Sequence, residues 1–167
     1  MPSTPLVGIV MGSASDLEQV QPCIDMLKKF AIPFEATVCS AHRTPDRAAQ
    51  YSRTARERGL KVIIAAAGWA AHLPGVLAAF TTLPVIGLPI GGSPLGGKDA
   101  LYAIVQMPPG VPVATVGINT GINAALLAIQ ILGTCDEAIA ARLAEYKLDM
   151  AAKVDATAAK LEAELQD

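Results

Sequence analysis

Short apolar runs alternate with amphipathic stretches along most of this chain. The runs are typical of strands in a sheet, and the third of them, over residues 62–67, shows no polar alternation, as expected where both sheet faces are covered. They predict strands over residues 6–11, 34–39, 62–67, 84–88 and 113–117. Each strand precedes a stretch of helical character, over residues 20–30, 45–59, 74–80, 99–106 and 123–132. This alternation predicts an α/β fold with a five-stranded, parallel, doubly wound sheet.

The first two helix starts depend on capping signals. Ser15 and Glu18 have the spacing of a capping box. Pro22 lies inside the helix that this box would begin, where its ring would clash with the carbonyl group four residues earlier. We therefore expect a kink, or a helix that begins near residue 20. For the second helix, Thr44 and Pro45 predict the cap and the first helical residue.

The C-terminal segment has a different character. Residues 134–137 have capping-box spacing, and the alanine-rich residues after them favour a long helix. An apolar stripe follows one face of this helix at spacings of three and four, formed by Ile139, Leu143, Tyr146, Met150 and Val154. We expect residues 1–133 to form the main α/β domain and residues 134–167 a helical arm. The arm packs either on its own domain or on a neighbouring subunit.

Charged residues are almost absent from the middle of the chain. Between Lys61 and Asp136 the only charged side chains are those of Lys98 and Asp99. Prolines and glycines interrupt the apolar stretches before they reach the roughly 20 residues that a membrane-spanning helix needs, so we expect no membrane segment. A single domain of 167 residues normally shows more charge on its surface. We therefore expect a homo-oligomer with a large apolar interface.

The net charge, the cysteines and the N-terminal residues limit the classes of ligand and the cellular compartment. The formal net charge is −2 and the pI is about 5.7, without any basic run, which argues against a nucleic-acid-binding surface. The three cysteines are scattered and odd in number, unlike a disulfide framework. The N-terminal residues lack the basic and apolar segments of a signal peptide. We expect a cytoplasmic protein whose ligand could be a small anion.

Three loops that follow predicted strands carry the candidate chemistry, because open α/β sheets bind ligands at the carboxyl ends of their strands. The first loop offers the backbone of Gly12, the hydroxyls of Ser13 and Ser15 and a helix N-terminus, which suit a phosphate. Glycine and serine also form ordinary turns, so this loop alone does not decide between a phosphate site and a structural turn. Asp16 would repel a phosphate; we expect it to bond sugar hydroxyls or to cap the helix.

The second loop adds a hydroxyl, a guanidinium group and a histidine. Ser40 and Arg43 could share a phosphate with the first loop, because the arginine fork matches phosphate geometry; alternatively, Arg43 is merely exposed. Between them, His42 is a candidate proton carrier, with a structural hydrogen bond as the alternative. Cys39, His42 and His72 could also be metal ligands, but they lack a convincing fourth ligand, so we expect no metal.

The third loop, residues 68–75, has almost no polar side chain except His72. Its glycines and alanines allow a ligand ring to approach the backbone closely and would form a dry wall. Such a wall suits a small uncharged intermediate that must be kept from water. A tight turn required by packing would explain the glycines but not His72.

Four motifs in this order resemble those of the PurE family, the N5-carboxyaminoimidazole ribonucleotide mutases of purine biosynthesis. They are Met11-Gly12-Ser13-Ala14-Ser15-Asp16, Ser40-Ala41-His42-Arg43-Thr44-Pro45, Ala70-Ala71-His72-Leu73-Pro74-Gly75 and Val105-Gln106-Met107-Pro108. The resemblance implies a flavodoxin-like three-layer sandwich with a long C-terminal helix, in which residues 1–133 are the catalytic domain. It also implies an octamer with active sites between subunits, no metal or organic cofactor, and N5-carboxyaminoimidazole ribonucleotide synthetase as functional partner.

The implied reaction moves a carboxyl group from the exocyclic nitrogen of an aminoimidazole ribonucleotide to a ring carbon. The carbamate loses carbon dioxide in a closed site, the ring carbon captures it, and His42 acts as general acid and base. His72 lines the carbon dioxide pocket or orients the carboxylate. The implied substrate-binding residues are Gly12, Ser13, Ser15, Asp16, Ser40, Ala41, Arg43, Gly68, Ala70, Ala71 and Leu73.

The chain departs from the family pattern at a few positions. Trp69 and Ala66 stand where the family usually has glycine, and residues 91–93, Pro109 and residues 119–123 also differ. Two other functions stay open. One is a sister carboxylase that uses dissolved carbon dioxide, although the loop around His72 resembles the mutase branch. The other is a non-catalytic nucleotide-phosphate sensor or scaffold, which would not need both histidines.

Overall fold

The computed structural model describes residues 4–165, and its centre is a five-stranded parallel sheet. Strands β1 to β5 are Val7–Met11, Phe34–Val38, Val62–Gly68, Val85–Ile90 and Ala114–Thr115. They lie in the order β2-β1-β3-β4-β5, and each neighbouring pair is parallel. This is the strand order of flavodoxin-like proteins, so the predicted fold class is confirmed.

Helices connect the strands and extend the chain beyond the sheet. Helices α1 to α6 are Leu17–Lys29, Pro45–Ala55, Leu73–Ala79, Lys98–Val105, Gly121–Gly133 and Glu137–Glu164. A short 3-10 helix, Ala14–Asp16, precedes α1. The predicted long C-terminal helix is confirmed as α6.

The connections place the helices on two faces of the sheet. The chain moves in one direction from β1 to β2 and in the opposite direction from β2 through β3 to β4. Because such crossovers are right-handed, α1 covers one face, whereas α2 and α3 cover the other. Consistent with this, α2 packs on α3, and α3 and α4 pack on β4. The direction therefore reverses between β1 and β3, which is the topological switch point.

The core lies on both sides of the three central strands. Each residue of β1 and β4 is buried, as their unbroken apolar runs predicted. On one face, Ile63 belongs to a core cluster with Leu77 of α3 and Ile104 of α4. Gly121, at the start of α5, lies directly against the backbone of α1 beside Cys23. The absence of a Cβ at this glycine lets α1 and α5 approach closely.

The expected start of α1 was wrong. The capping box is formed by Ser13 and Asp16 around the 3-10 helix, not by Ser15 and Glu18. The α-helix then begins at Leu17 and continues through Pro22. The proline removes one backbone hydrogen bond, but the helix buries a full apolar face, and such packing contributes most of a helix's stability in a folded protein.

Other boundaries also differ from expectation. Helix α2 ends at Ala55, because the chain then turns toward Gly59 at a φ of 97°. The start of α2 is as predicted, with Thr44 as the N-cap residue and Pro45 as the first helical residue, although the Thr44 side chain makes no capping hydrogen bond. The cap of α6 is Asp136, whose carboxylate accepts hydrogen bonds from the next helical N–H groups, rather than a box that begins at residue 134. Strand β5 is only two residues long.

The described chain divides into two compact units, one ending at Ile129 and the other beginning at Gln130. The first unit holds the sheet. Within the second, Ile139 at the start of the apolar stripe is buried, whereas Met150 and Val154 are 43% and 67% exposed. None of the helices within residues 4–165 combines the length and the apolarity needed to cross a bilayer.

Candidate active site

A cleft of about 630 Å³ opens at the carboxyl ends of β1 and β3. The loops that follow β1, β2, β3 and β4 form its walls. It therefore lies at the switch point of the sheet, where flavodoxin-like proteins bind their ligands. Its volume suits a small organic molecule.

The loop after β1 presents hydroxyl groups at the start of a helix. Gly12 N–H donates to the carbonyl of Ala66 at 3.0 Å, which fixes the loop to β3. Ser13 Oγ accepts a hydrogen bond from the backbone N–H of Ser15, and the two serine Oγ atoms lie 2.8 Å apart. Hydroxyls held in this way at a helix N-terminus suit an anionic ligand.

Asp16 caps the 3-10 helix from within this loop. Its Oδ2 accepts a hydrogen bond from the backbone N–H of Ser13 at 3.0 Å. Partial burial raises the pKa of the Asp16 carboxyl, while the Ser13 N–H and the Ser15 hydroxyl act in the opposite direction. A partly desolvated carboxylate gains from further donors. The capping role is thus observed, and the sugar-binding role stays a prediction.

Arg43 joins the second loop to the first. Its backbone N–H and its Nε both donate to Ser40 Oγ, at 3.2 and 3.3 Å. Its Nη2 donates to the carbonyl of Gly12 at 3.4 Å. The guanidinium group is exposed, but these bonds hold it over the serine loop. The two loops can therefore offer hydroxyls, a helix N-terminus and a cation to the same anion.

The two histidines of the chain contact each other across the cleft. His42 Nε2 lies 2.8 Å from His72 Nδ1, within hydrogen-bonding distance. The rings are nearly perpendicular, at 89°, with centroids 4.9 Å apart. His42 comes from the loop after β2, and His72 precedes the first residue of α3. One hydrogen shared between the two nitrogens fixes both rings relative to each other.

The loop after β3 is tightly turned. The N–H of Ala71 donates to the carbonyl of Trp69 at 2.9 Å, and the N–H of His72 donates to the carbonyl of Ala70 at 2.8 Å. At Gly68 a Cβ would lie 3.1 Å from the carbonyl oxygen of Ile90, so the glycine relieves a tight contact between the ends of β3 and β4. These contacts fix the wall that faces the histidines.

The cleft unites most of the residues that the sequence nominated. Those that line it are Gly12, Ser13, Ser15, Asp16, Ser40, Ala41, His42, Arg43, Gly68, Ala70, His72 and Leu73. Ala71 is buried and does not line the cleft. Cys39 is also buried, and its Sγ lies 3.7 Å from Thr44 Oγ1. Within residues 4–165, no three His, Cys, Asp or Glu side chains are grouped as metal ligands.

Sequence reasoning did not nominate several lining residues, namely Gln19, Ala67, Trp69, Ile90, Gly91 and Gly92. The glycine pair follows β4 at the same sheet edge, so strand order would have placed it at the site. The predicted flavodoxin-like sheet therefore contained the signal that could have found it. Trp69 was noted only as a departure from the family pattern.

The fold and the cleft define a flavodoxin-like α/β protein with an anion-receptive site and paired histidines at its switch point. The chain belongs to the AIR carboxylase family, whose sequence profile matches residues 6–153. The predicted family is thereby confirmed.

Relatives with two different names share about the same identity with the chain. An N5-carboxyaminoimidazole ribonucleotide mutase from Pyrococcus horikoshii is 54% identical over 95% of the chain and 89% of that protein. A phosphoribosylaminoimidazole carboxylase from Saccharomyces cerevisiae is also 54% identical over 95% of the chain, which corresponds to 28% of that longer protein. Among solved structures, Treponema denticola PurE superposes with a TM-score of 0.85 at 31% identity, covering 94% of this chain and 98% of that one.

Proposed function

We propose that the protein is an N5-carboxyaminoimidazole ribonucleotide mutase of purine biosynthesis. The observation that carries the proposal is the hydrogen-bonded pair of His42 and His72 beside a loop suited to phosphate. Relatives of similar length from Pyrococcus horikoshii and Thermotoga maritima carry this name at 54% and 53% identity. Family membership and the chemistry of the cleft therefore support the same enzyme class, an isomerase.

The substrate binds with its phosphate between the first two loops. Ser13, Ser15 and Ser40 donate hydroxyl hydrogens to the phosphate, and Arg43 supplies the cation. Asp16 accepts hydrogen bonds from the ribose, because its partly desolvated carboxylate gains from added donors. This arrangement leaves the aminoimidazole ring between the histidines and the loop after β3. The ring, or the group that it transfers, then contacts Ala41, Gly68, Ala70 and Leu73. Ala71, which is buried, supports the loop after β3 from the side away from the cleft.

The reaction requires one proton to leave a carbon and one to reach a nitrogen. The C–N bond of the carbamate breaks, carbon dioxide is released, and His42 protonates the exocyclic nitrogen. The ring carbon then forms a bond to carbon dioxide, and His42 takes the proton from that carbon, which restores aromaticity. His42 thus gives up one proton and regains one, and the reaction needs no oxidant or reductant. A histidine is suited to both proton transfers.

His72 has a positioning role in this scheme. Its Nδ1 contacts His42 Nε2, so it holds the ring of the proton carrier in one orientation. It also stands at the start of α3, on the side of the cleft where carbon dioxide would be retained. The apolar wall beside it limits escape of the gas and entry of water.

The chief alternative is carboxylation of aminoimidazole ribonucleotide by dissolved carbon dioxide. The chain is 54% and 55% identical to two fungal carboxylases, about as similar as it is to the mutases. This reaction is therefore the second candidate. It would use the same phosphate loop and the same histidines, and differ in the source of carbon dioxide. An assay of both substrates distinguishes the two reactions.

The oligomeric state, the partner enzyme and the cellular compartment are also part of the proposal. Exposed apolar side chains in the charge-poor stretch, including Leu95, Tyr102 and Val105, fit burial between subunits of a homo-oligomer, which we assign as an octamer. The substrate is a carbamate, which a synthetase must supply, and N5-carboxyaminoimidazole ribonucleotide synthetase is the proposed functional partner. The lack of a disulfide framework in the sequence fits the cytoplasm.

The test is product formation by purified protein from the carbamate ribonucleotide, without ATP or added metal and at low bicarbonate. A parallel assay supplies aminoimidazole ribonucleotide at low and high bicarbonate. Efficient conversion of the carbamate at low bicarbonate supports the mutase. Product from aminoimidazole ribonucleotide alone, and only at high bicarbonate, would instead establish the carboxylase. No product in either assay would favour a non-catalytic nucleotide-phosphate sensor or scaffold.

A further inference from the structure

Trp69 has an unusual backbone conformation for a large residue. Its φ is 55°, in the left-handed region that glycine adopts freely and that bulky side chains rarely occupy. Its side chain is 60% exposed, so packing within the described chain does not offset this conformation. A residue held in such a state by its surroundings is a candidate for a functional role.

The loop contacts hold the backbone of Trp69 in the wall of the cleft. On one side, Gly68 is packed against Ile90, and on the other, the carbonyl of Trp69 accepts the N–H of Ala71. These contacts fix the backbone on both sides of the tryptophan. The residue lines the same cleft as His42 and Arg43. The backbone therefore places Trp69 in the cleft wall that a phosphate-anchored ribonucleotide would face.

Apart from the two histidines, the lining of the cleft contains no aromatic side chain other than Trp69, and its large aliphatic residues are Leu73 and Ile90. Serines, glycines and alanines form most of the lining, and the histidines are engaged with each other. A planar, electron-rich heterocycle binds well against an aromatic face, as bases do in nucleic-acid-binding proteins. Trp69 carries such a face, and its side chain is largely exposed.

We propose that Trp69 binds the substrate by packing its indole against the aminoimidazole ring, and so covers the open side of the cleft. The proposal rests on the proposed function, because that function supplies the ring. It assigns to Trp69 a share of the affinity for the base, separate from the phosphate affinity of the serine loops.

The protein's single tryptophan allows a direct spectroscopic test. Aminoimidazole ribonucleotide should change the tryptophan emission of the whole protein, with a midpoint equal to the Kd from calorimetry. Ribose 5-phosphate, which lacks the ring, should bind with a much smaller emission change. Emission that does not respond to saturating aminoimidazole ribonucleotide would overturn the proposal.

Variants at this position separate ring binding from structure. Trp69→Gly should raise the Kd for aminoimidazole ribonucleotide about tenfold, equivalent to about 1.4 kcal/mol, and change the Kd for ribose 5-phosphate less than twofold. Its thermal midpoint should not fall, because glycine adopts the backbone conformation without strain. Trp69→Phe should stay within about threefold of wild type, since stacking is retained. Phe80→Ala is the control, as Phe80 is an aromatic residue that is 37% exposed and does not line the cleft.

Two further outcomes count against the proposal. An unchanged Kd for aminoimidazole ribonucleotide in Trp69→Gly would overturn it. So would a Trp69→Gly protein that no longer assembles but still binds the ring normally, because the indole would then belong to a subunit interface. Turnover of the carbamate by the wild type, measured in the same preparation, tests the proposed function separately. Ring-dependent emission without turnover would overturn the enzyme assignment and leave Trp69 as a ring-binding residue.

Discussion

At the scale of single residues, the candidate chemistry depends on pairs that the fold creates. His42 and His72 are thirty positions apart in the chain, yet their ring nitrogens lie 2.8 Å apart. Arg43 likewise gains its position from Ser40 and from the carbonyl of Gly12 on another loop. Each of these residues could be nominated from the sequence, because their loops follow predicted strands of a parallel sheet. The direct contact between the two rings depends on the conformation of the folded loops, which the sequence alone did not give.

His42→Asn tests the proton carrier. Asparagine retains a polar group of similar length but does not transfer protons near neutral pH, so turnover of the carbamate should fall by about 10²- to 10⁴-fold. Calorimetry should show nearly unchanged affinity for aminoimidazole ribonucleotide. His72→Asn should lower turnover less, because His72 positions the carrier. A His42→Asn protein with wild-type turnover would remove His42 from the mechanism.

Arg43→Ala tests the phosphate site. Loss of a charge-assisted hydrogen bond of about 1.5–3 kcal/mol should weaken ribonucleotide binding by about 10- to 100-fold, with kcat changed only a few-fold. Steady-state kinetics and calorimetry measure both quantities. Arg56→Ala removes the same charge where the guanidinium bonds Thr82 instead, and should leave KM unchanged. Equal effects of the two substitutions on KM would contradict a specific role for Arg43.

At the scale of elements, the sequence predicted the order and type of helices and strands well and their ends poorly. Apolar periodicity reports burial, so β1, β3 and β4 were placed within two residues at each end. Helix ends depend on which of several nearby polar groups makes the cap. Ser13 and Asp16 formed the first capping box, and Asp136 alone caps α6, although other residues had suitable spacing.

Gly121→Ala tests the contact between α1 and α5. A Cβ at this position would lie 3.0 Å from the carbonyl oxygen of Gln19 and 3.2 Å from the amide nitrogen of Cys23. Backbone atoms yield little, so the free energy of unfolding should fall by about 1–3 kcal/mol, measured by urea denaturation. Gly92→Ala is the matched control, since its Cβ would meet nothing within 4 Å. Equal stability of the two variants would contradict close packing at Gly121.

At the scale of the whole molecule, exposed apolar side chains point to assembly. The charge-poor stretch contains Leu95 and Tyr102 at 65% and 58% exposure, and α6 presents Leu148 and Val154 at 71% and 67%. Isolated exposed apolar residues are ordinary, but their concentration in a region with almost no charge is not. We expect these surfaces to be covered by other copies of the chain, with α6 as an intersubunit arm.

Val154→Glu tests that arm. Light scattering of the wild type should give a mass eight times the 17.2 kDa of one chain. A charge on the apolar stripe should shift the protein to smaller particles while circular dichroism keeps the helical signal. Ala152→Glu, on the opposite face of the same exposed helix, should assemble as the wild type does. A monomeric wild type, or normal assembly of Val154→Glu, would be inconsistent with this arrangement.

In the proposed reaction, carbon dioxide is released and recaptured within one cleft. The most direct measurement supplies unlabelled carbamate ribonucleotide in a medium of carbon-13 bicarbonate and follows the label in the product carboxylate by mass spectrometry. We predict that the initial product carries mainly the unlabelled carbon of its own substrate. Product labelled to the level of the medium from the first turnovers would show that carbon dioxide leaves the cleft before capture, and would contradict the account.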